Sequence, residues 1–174
     1  YLFSLKDVRN VISNTVIIAV AKIILNLFVP LVFALMLNEV RNVRFKKFVQ
    51  TIVYLPHFIS WVILASILSK IFGYTGVYNY IMGLFGREPQ VLMSNSGFFR
   101  WFIILGEVWK ECGFNAIIYL AALTSISPNL YEAAAIDGAN RWQSMRSITL
   151  PALRPTVVLL ATLAMGNVLN AGFD

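Results

Sequence analysis

The chain has 174 residues, 59% of them hydrophobic and 13% charged, against about 45–50% apolar and about 25% charged in an ordinary soluble domain. That much apolar surface exceeds what one small globule can hide, and a lipid phase is the natural place for the excess. The net charge of +6 comes from 14 Lys and Arg against 8 Asp and Glu; these bases lie between apolar runs rather than in one aromatic-lined patch, which argues against nucleic-acid binding. One cysteine, Cys112, and one histidine, His57, leave no intrachain disulfide and no zinc site.

In chain order, a lead-in from Tyr1 to Asn10 carries Lys6 and Arg9 and has no signal-peptide pattern. A first apolar span follows from Val11 to Leu37, with Lys22 and Pro30 inside it. A short basic connection, Glu39 to Phe48, holds Arg41, Arg44, Lys46 and Lys47. The second span runs from Val49 to Phe72 and contains Pro56 and His57. Gly73 to Phe98 is a loop rich in Gly, Asn and Ser, with Pro89 and Arg87. The third span covers Phe99 to Leu123 and includes Glu107, Lys110, Glu111 and Asn115. Thr124 to Arg154 is a longer connection with Arg141, Arg146 and Arg154. A fourth span begins near Pro155 and carries Asn167 and Asn170 toward Gly172-Phe173-Asp174. Each span has the roughly 20 residues that a helix needs to cross a bilayer. The expected fold is an all-α, polytopic membrane bundle of about four to five transmembrane helices in a single domain over residues 1–174. Both chain ends read as cut from a longer protein.

Alternate connections lie on the same side. Glu39–Phe48 and Thr124–Arg154 together hold seven bases, whereas the opposite side holds Lys6, Arg9 and Arg87, with Lys70 and Arg100 at span boundaries. Lys and Arg favour the cytoplasmic side, so the two basic connections are placed there and Gly73–Phe98 faces outward. Pro30 and Pro56 would each cost about 3 kcal/mol in a soluble helix. In a membrane bundle they are tolerated, and they either serve packing or bend a helix around a cavity.

Charges inside a membrane are costly and face a bundle interior or a watery path. Glu107, Lys110, Glu111 and Asn115 fall on one side of the third helix. They form either a self-neutralising packing cluster or the polar lining of a watery path. His57, Asn167 and Asn170 are further candidates for such a path, with Lys22 beside them. Trp61, Trp101 and Trp109 offer faces for stacking or for contact with lipid.

The connection Thr124–Arg154 is too ordered for a tether. Ser127-Pro128 is a helix start, Ala133 to Ala135 have the highest helix propensity, and Gly138 suits a left-handed stop. Asn140 with Gln143 forms a capping-box pattern for a second helix, which Pro151 and Pro155 are expected to end. Two short helices hinged at Gly138 result, with Leu130, Tyr131, Ile136, Trp142 and Met145 as apolar knobs. On these grounds the pair is either a docking element or a surface pair at the lipid boundary.

Glu132-Ala133-Ala134, then Asp137-Gly138-Ala139, then Ile148-Thr149-Leu150-Pro151 resembles the EAA loop of binding-protein-dependent ABC importer permeases. Gly138 follows Ala134 after three residues, Ile148 follows Gly138 after nine, and Leu150-Pro151 closes the pattern. Asn14-Thr15, Leu37-Asn38-Glu39, Tyr54-Leu55-Pro56-His57, Trp109-Lys110 and Ile118-Tyr119-Leu120 are similar to the carbohydrate-type, maltose-related oligosaccharide permeases. Relative to that family, the chain would lack a first helix and a last one.

The resemblance implies a type I permease subunit in the bacterial cytoplasmic (inner) membrane. It would pair with a second permease subunit in a heterodimer. Two ATP-binding subunits would hold ATP-Mg, the chain itself binding no cofactor and catalysing nothing, and an extracytoplasmic solute-binding protein would deliver an oligosaccharide. Glu132, Ala133, Ala134, Asp137, Gly138, Ala139, Ile148, Leu150 and Pro151 would couple closure of the ATPase to alternating access. The chain has no G-x-x-x-x-G-K-[ST] phosphate loop. An ion- or proton-coupled carrier or channel using Glu107, Lys110 and Glu111 is the alternative, but it leaves the ordered loop unexplained. A membrane-embedded enzyme would lack a nucleophile–base or metal constellation.

Overall fold

The computed structural model describes residues 6–167, with side chains from Val8 to Gly166. Every regular element among the described residues is helical. Helix α1 (Lys6–Glu39) is continuous through 34 residues, a length of about 50 Å at about 1.5 Å per residue. Pro30 lies inside it and is buried. Its ring removes the N–H that would have met the Asn26 carbonyl. The next carbonyl, that of Leu27, accepts a 3.1 Å hydrogen bond from the Tyr119 hydroxyl. A neighbouring helix thus supports the turn that the proline weakens, as membrane proteins require.

The second span differs from its expected form. It starts earlier, as α2 (Val43–Tyr54), and breaks at a 3-10 turn, Leu55–Phe58, before restarting as α3 (Trp61–Phe72). Asn42 caps α2 by accepting from the Arg44 and Phe45 N–H groups. Pro56 opens the 3-10 turn, Ile59 and Ser60 are extended, and the Ser60 hydroxyl oxygen accepts from the Ile63 N–H to start α3. Pro56 therefore marks a full interruption rather than a bend. Irregular backbone at membrane depth is tolerated only where protein covers it. The cover is α5 (Ser96–Thr124), which packs on both α2 and the 3-10 turn. A Cβ placed on Gly113 would fall on the Val53 carbonyl oxygen, so only glycine allows this approach.

The outward connection also holds more structure than a loop. It forms α4 (Val77–Leu84) and a short 3-10 turn, Leu92–Ser94. Asn79, 5% exposed, ties it together. Its amide donates to the carbonyls of Gly73, Tyr74 and Gln90, and its oxygen accepts from the Gln90 N–H. Sequence reading passed over this residue, since an Asn between glycines looks like ordinary turn chemistry.

Helix α5 is 29 residues long and is capped by Asn95. It runs parallel to α1. Arg100 donates to Asn14 near one end, Glu107 pairs with Lys22 midway, and Tyr119 reaches Leu27 further along. Parallel packing of these two helices requires the chain between them to cross back, which α2 and α3 do. Ala34 and Ala116 are fully buried in a cluster with Leu37, Tyr119, Leu120, Leu123 and Leu153. Small residues at such a crossing let helix backbones come close without a solvent-driven force.

The chain then forms α6 (Pro128–Ile136), α7 (Arg141–Ser144), a π-turn (Met145–Thr149) and α8 (Leu150–Asn167). Neither Pro151 nor Pro155 stops the helix, contrary to expectation. The π-turn widens the helix just ahead of Pro151, and the Leu150 N–H bonds back to Met145. Pro151 thus enters where the tight i−4 contact of an α-turn is already relaxed, while Pro155 lies inside α8. Among the described residues, three stretches are long and apolar enough to cross a membrane: Val8–Glu39, Trp61–Leu84 and Arg141–Gly166. The second of these lies further along the chain than the span expected from Val49 to Phe72. Helix α5 has the length but carries Arg100, Glu107, Lys110 and Glu111, and it lies against α1, α2 and α8.

Gly113→Ala should lower the thermal unfolding midpoint of the purified protein by several degrees, an overpacking cost of about 1–3 kcal/mol. Gly106→Ala on the same helix meets no atom within 4 Å and should leave the midpoint within about a degree. Equal midpoints for the two variants would rule out the close α2–α5 approach.

Candidate functional site

The residues singled out by the sequence fall in two places. The first is the interior of the bundle along α5. Glu107 forms a salt bridge with Lys22 of α1, each side chain 23% exposed. One turn on, Glu111 has two partners. Its Oε2 lies 2.9 Å from His57 Nδ1, and its Oε1 accepts from Lys110 Nζ at 3.1 Å. Lys110, only 7% exposed, also donates to the His57 carbonyl at 3.1 Å, and its ammonium sits 5.2 Å from the centre of the Trp61 ring. The imidazole stacks on Phe114, with centroids 4.2 Å apart and planes 5° from parallel.

The local geometry explains this grouping. The 3-10 turn leaves the His57 carbonyl without a regular helical acceptor role, and Lys110 supplies its donor. Trp61, just past the break, presents its ring to the same ammonium. The cluster therefore joins the interrupted second span to α5. Asn115 is half-buried one turn beyond Glu111 and outside these bonds. Asn167 ends α8 with its side chain outside the described residues, and Asn170 lies outside them entirely. Trp101 and Trp109 are more than half exposed on this chain. The sequence pattern did not pair Lys22 with Glu107, because the register of α1 on α5 is a tertiary fact. The signal available was one intramembrane lysine on one helix and an excess carboxylate on another.

The second place is the α6–α7 pair. Helix α6 ends at Asp137, and Gly138 takes φ +77°, the left-handed conformation. The Gly138 N–H bonds to the Ala135 carbonyl and the Ala139 N–H to the Ala134 carbonyl at 2.8 Å, the crossed pattern of a Schellman stop. Asn140 and Gln143 then cap α7 reciprocally, at 2.9 and 2.7 Å. The Tyr131 hydroxyl lies 2.9 Å from Thr149 Oγ1, which is buried, so α6 is braced against the π-turn. Ile148 lies in that π-turn, and Leu150 and Pro151 open α8; all three are half-buried.

Glu132, Ala133, Asp137 and Gly138 are exposed, while Ala134 and Ala139 are half-buried. Among the described residues no ion pair involves Glu132. Ile136 is 87% and Trp142 66% exposed. Asp137, Gly138, Ala139, Gln143, Arg146 and Ser147 line an open concavity of about 580 Å³. Arg141 reaches Glu39 at 3.4 Å, so the two basic connections share one end of the bundle.

Residues 27–173 match the family of binding-protein-dependent transport system inner membrane components. The chain belongs to that family. It is 43% identical over 166 residues to the polygalacturonan/rhamnogalacturonan transport system permease protein YteP of Bacillus subtilis (strain 168), a match covering 94% of this chain and 51% of the relative. It is 42% identical over 170 residues to protein LplB of the same organism, covering 97% and 53%. The crystal structure of a bacterial ABC transporter involved in the import of the acidic polysaccharide alginate superposes with a TM-score of 0.90 at 40% identity, covering 99% of this chain and 60% of that one. The chain thus spans about half the length of the curated relatives it matches. The expected fold class, an all-helical importer permease, agrees with these likenesses.

Lys22→Gln and Glu107→Gln should each lower the unfolding midpoint by more than the double variant does. Each single change strands a charge inside the bundle, at a cost of up to about 2.5–3.5 kcal/mol for a group at full membrane depth. Three equal midpoints would show that the pair carries no weight.

Proposed function

We propose that the chain is the central part of a permease subunit in an ATP-driven importer of oligosaccharides, set in the bacterial inner membrane. The observation that carries this reading is the exposed, doubly capped α6–α7 pair, hinged at Gly138 and running without interruption into α8. An element of this kind can be gripped from outside and can turn a membrane helix. Its residues Glu132, Ala133, Ala134, Asp137, Gly138 and Ala139 meet the ATPase subunit, and Ile148, Leu150 and Pro151 pass the movement to α8. ATP-Mg belongs to that partner. A second permease subunit, two ATP-binding subunits and an extracytoplasmic solute-binding protein complete the assembly.

We favour an acidic oligosaccharide as cargo. A solved relative imports an acidic polysaccharide, and it also crystallises with a pentasaccharide-bound periplasmic protein. Inside the bundle Lys22 and Lys110 stand beside Glu107 and Glu111, and Arg100 adds a base at the boundary of the span, where it donates to Asn14. His57, Glu107, Lys110, Glu111 and Asn115 border the path. The bonds among His57, Lys110 and Glu111 and the Lys22–Glu107 pair make these residues a shape-holding wall first and sugar contacts second, and Asn115, outside those bonds, is left to meet sugar.

With the full-length protein assembled with its partners in lipid vesicles, binding protein loaded with an acidic oligosaccharide should raise ATP hydrolysis several-fold over binding protein alone. Gly138→Trp forces a bulky side chain into a left-handed position, at a cost of about 1–2 kcal/mol. It and Glu132→Lys should reduce copurification of the ATPase or abolish the stimulation while the spans stay inserted. Unchanged copurification and stimulation in both variants would overturn the docking role, and stimulation only by neutral sugars would overturn the cargo class.

A further inference from the structure

Helix α2 has a feature that the transport reading does not use. Its residues divide sharply around the helix. Phe45, Phe48 and Ile52 fall on one face, each more than half exposed, with Val49 and Val53 turned toward the body of the protein beside them. Lys47, Gln50 and Thr51 lie on the opposite face. Arg44 stands at one border of the aromatic stripe, whereas Lys46, half-buried, lies beside Val49 and Val53 on the side turned toward the body. Arg41 precedes the helix cap.

These bases lack an internal counter-charge. Among the described residues no ion pair involves Arg41, Arg44, Lys46 or Lys47. The sequence contains no Asp or Glu between Glu39 and Glu88. Glu39, the nearest acid, is engaged by Arg141. The helix terminus is not the source of attraction either, because the Asn42 side chain already occupies the Arg44 and Phe45 N–H groups. What remains is an exposed aromatic stripe with a cationic collar in the same two turns, on an amphipathic helix that starts at the end of the bundle where Glu39 meets Arg141. Phosphates fit the collar and acyl chains fit the stripe.

We propose that the first two turns of α2 bind the headgroups of anionic phospholipids, with the exposed Arg44 and Lys47 on the phosphates and Phe45 and Phe48 against the chains. The aromatic stripe favours lipid over an acidic protein surface. A water-facing partner would meet only the collar and leave Phe45 and Phe48 uncovered, whereas one lipid layer satisfies both. Arg41 extends the collar past the cap. A base close to an anionic membrane surface strengthens attraction about fivefold, and the effect weakens with salt.

The test uses the full-length protein in its assembled complex, in nanodiscs of phosphatidylcholine with or without phosphatidylglycerol. Native mass spectrometry would count the lipids retained on release. Phosphatidylglycerol should be retained at least about tenfold over phosphatidylcholine, and the preference should shrink when the complex is released from buffer of high ionic strength. The triple variant Arg41→Gln, Arg44→Gln, Lys47→Gln should lose the preference, whereas Arg87→Gln, on the outward connection, should keep it. Should the triple variant fail to insert, the headgroup and salt series on the unaltered protein decides alone. Equal retention of the two lipids overturns the proposal. So does a triple variant that keeps its phosphatidylglycerol but loses the ATPase subunits, since that outcome makes the collar a protein interface. Sugar-stimulated ATP hydrolysis is a separate readout, so this inference and the importer reading fail independently.

Discussion

A charge or an unpaired backbone group inside lipid must find its partner within the protein, and α5 is where that demand concentrates. Glu107 and Glu111 would be prohibitive on a lone helix. Here Lys22 meets the first, and Lys110 with His57 meets the second. Each of these contacts also fixes a neighbour. The Lys22 pair sets the register of α1. Lys110 holds the carbonyl of His57 at the interruption of the second span. Tyr119 supports the turn beside Pro30. The same polar groups that would exclude α5 from a membrane when alone make it the axis of the bundle.

This axis positions the end of the bundle that carries the α6–α7 pair. The cluster of Ala34, Leu37, Ala116, Tyr119, Leu120, Leu123 and Leu153 joins α1, α5 and α8 close to where the α6–α7 pair begins. The Tyr131–Thr149 contact then ties α6 to the start of α8. A push on the exposed pair is thereby delivered to a helix packed against the axis, not lost in a slack loop. Gly138 stands between two capped helices, so the pair has one flexible joint with rigid arms on either side.

Much of this was readable from residue order because the signals are local. Long apolar runs announce helices, Gly138 announces a left-handed stop, and Asn140 with Gln143 announces a cap; all three appear in the structure. The EAA spacing named the family that the comparisons then matched. What escaped depends on tertiary packing. Pro56 is a bend or a break according to what covers it, and Gly113 with Lys110 make a break affordable. Pro151 looks like a stop until a π-turn relaxes the helix before it, and Pro155 is carried inside α8. Asn79 looks like loop chemistry until four hydrogen bonds converge on it. The pairing of Lys22 with Glu107 depends on a helix register that no local pattern encodes.

Under the proposed function, the paired charges along α5 shape a wall, and the driving force comes from the partner ATPase. The most direct measurement is uptake of labelled oligosaccharide into vesicles holding the complete complex, with binding protein outside. One set would contain trapped ATP and no proton gradient, and the other an imposed gradient and no ATP. Uptake only with trapped ATP and binding protein is the predicted result. Uptake that follows the proton gradient without ATP would contradict the account.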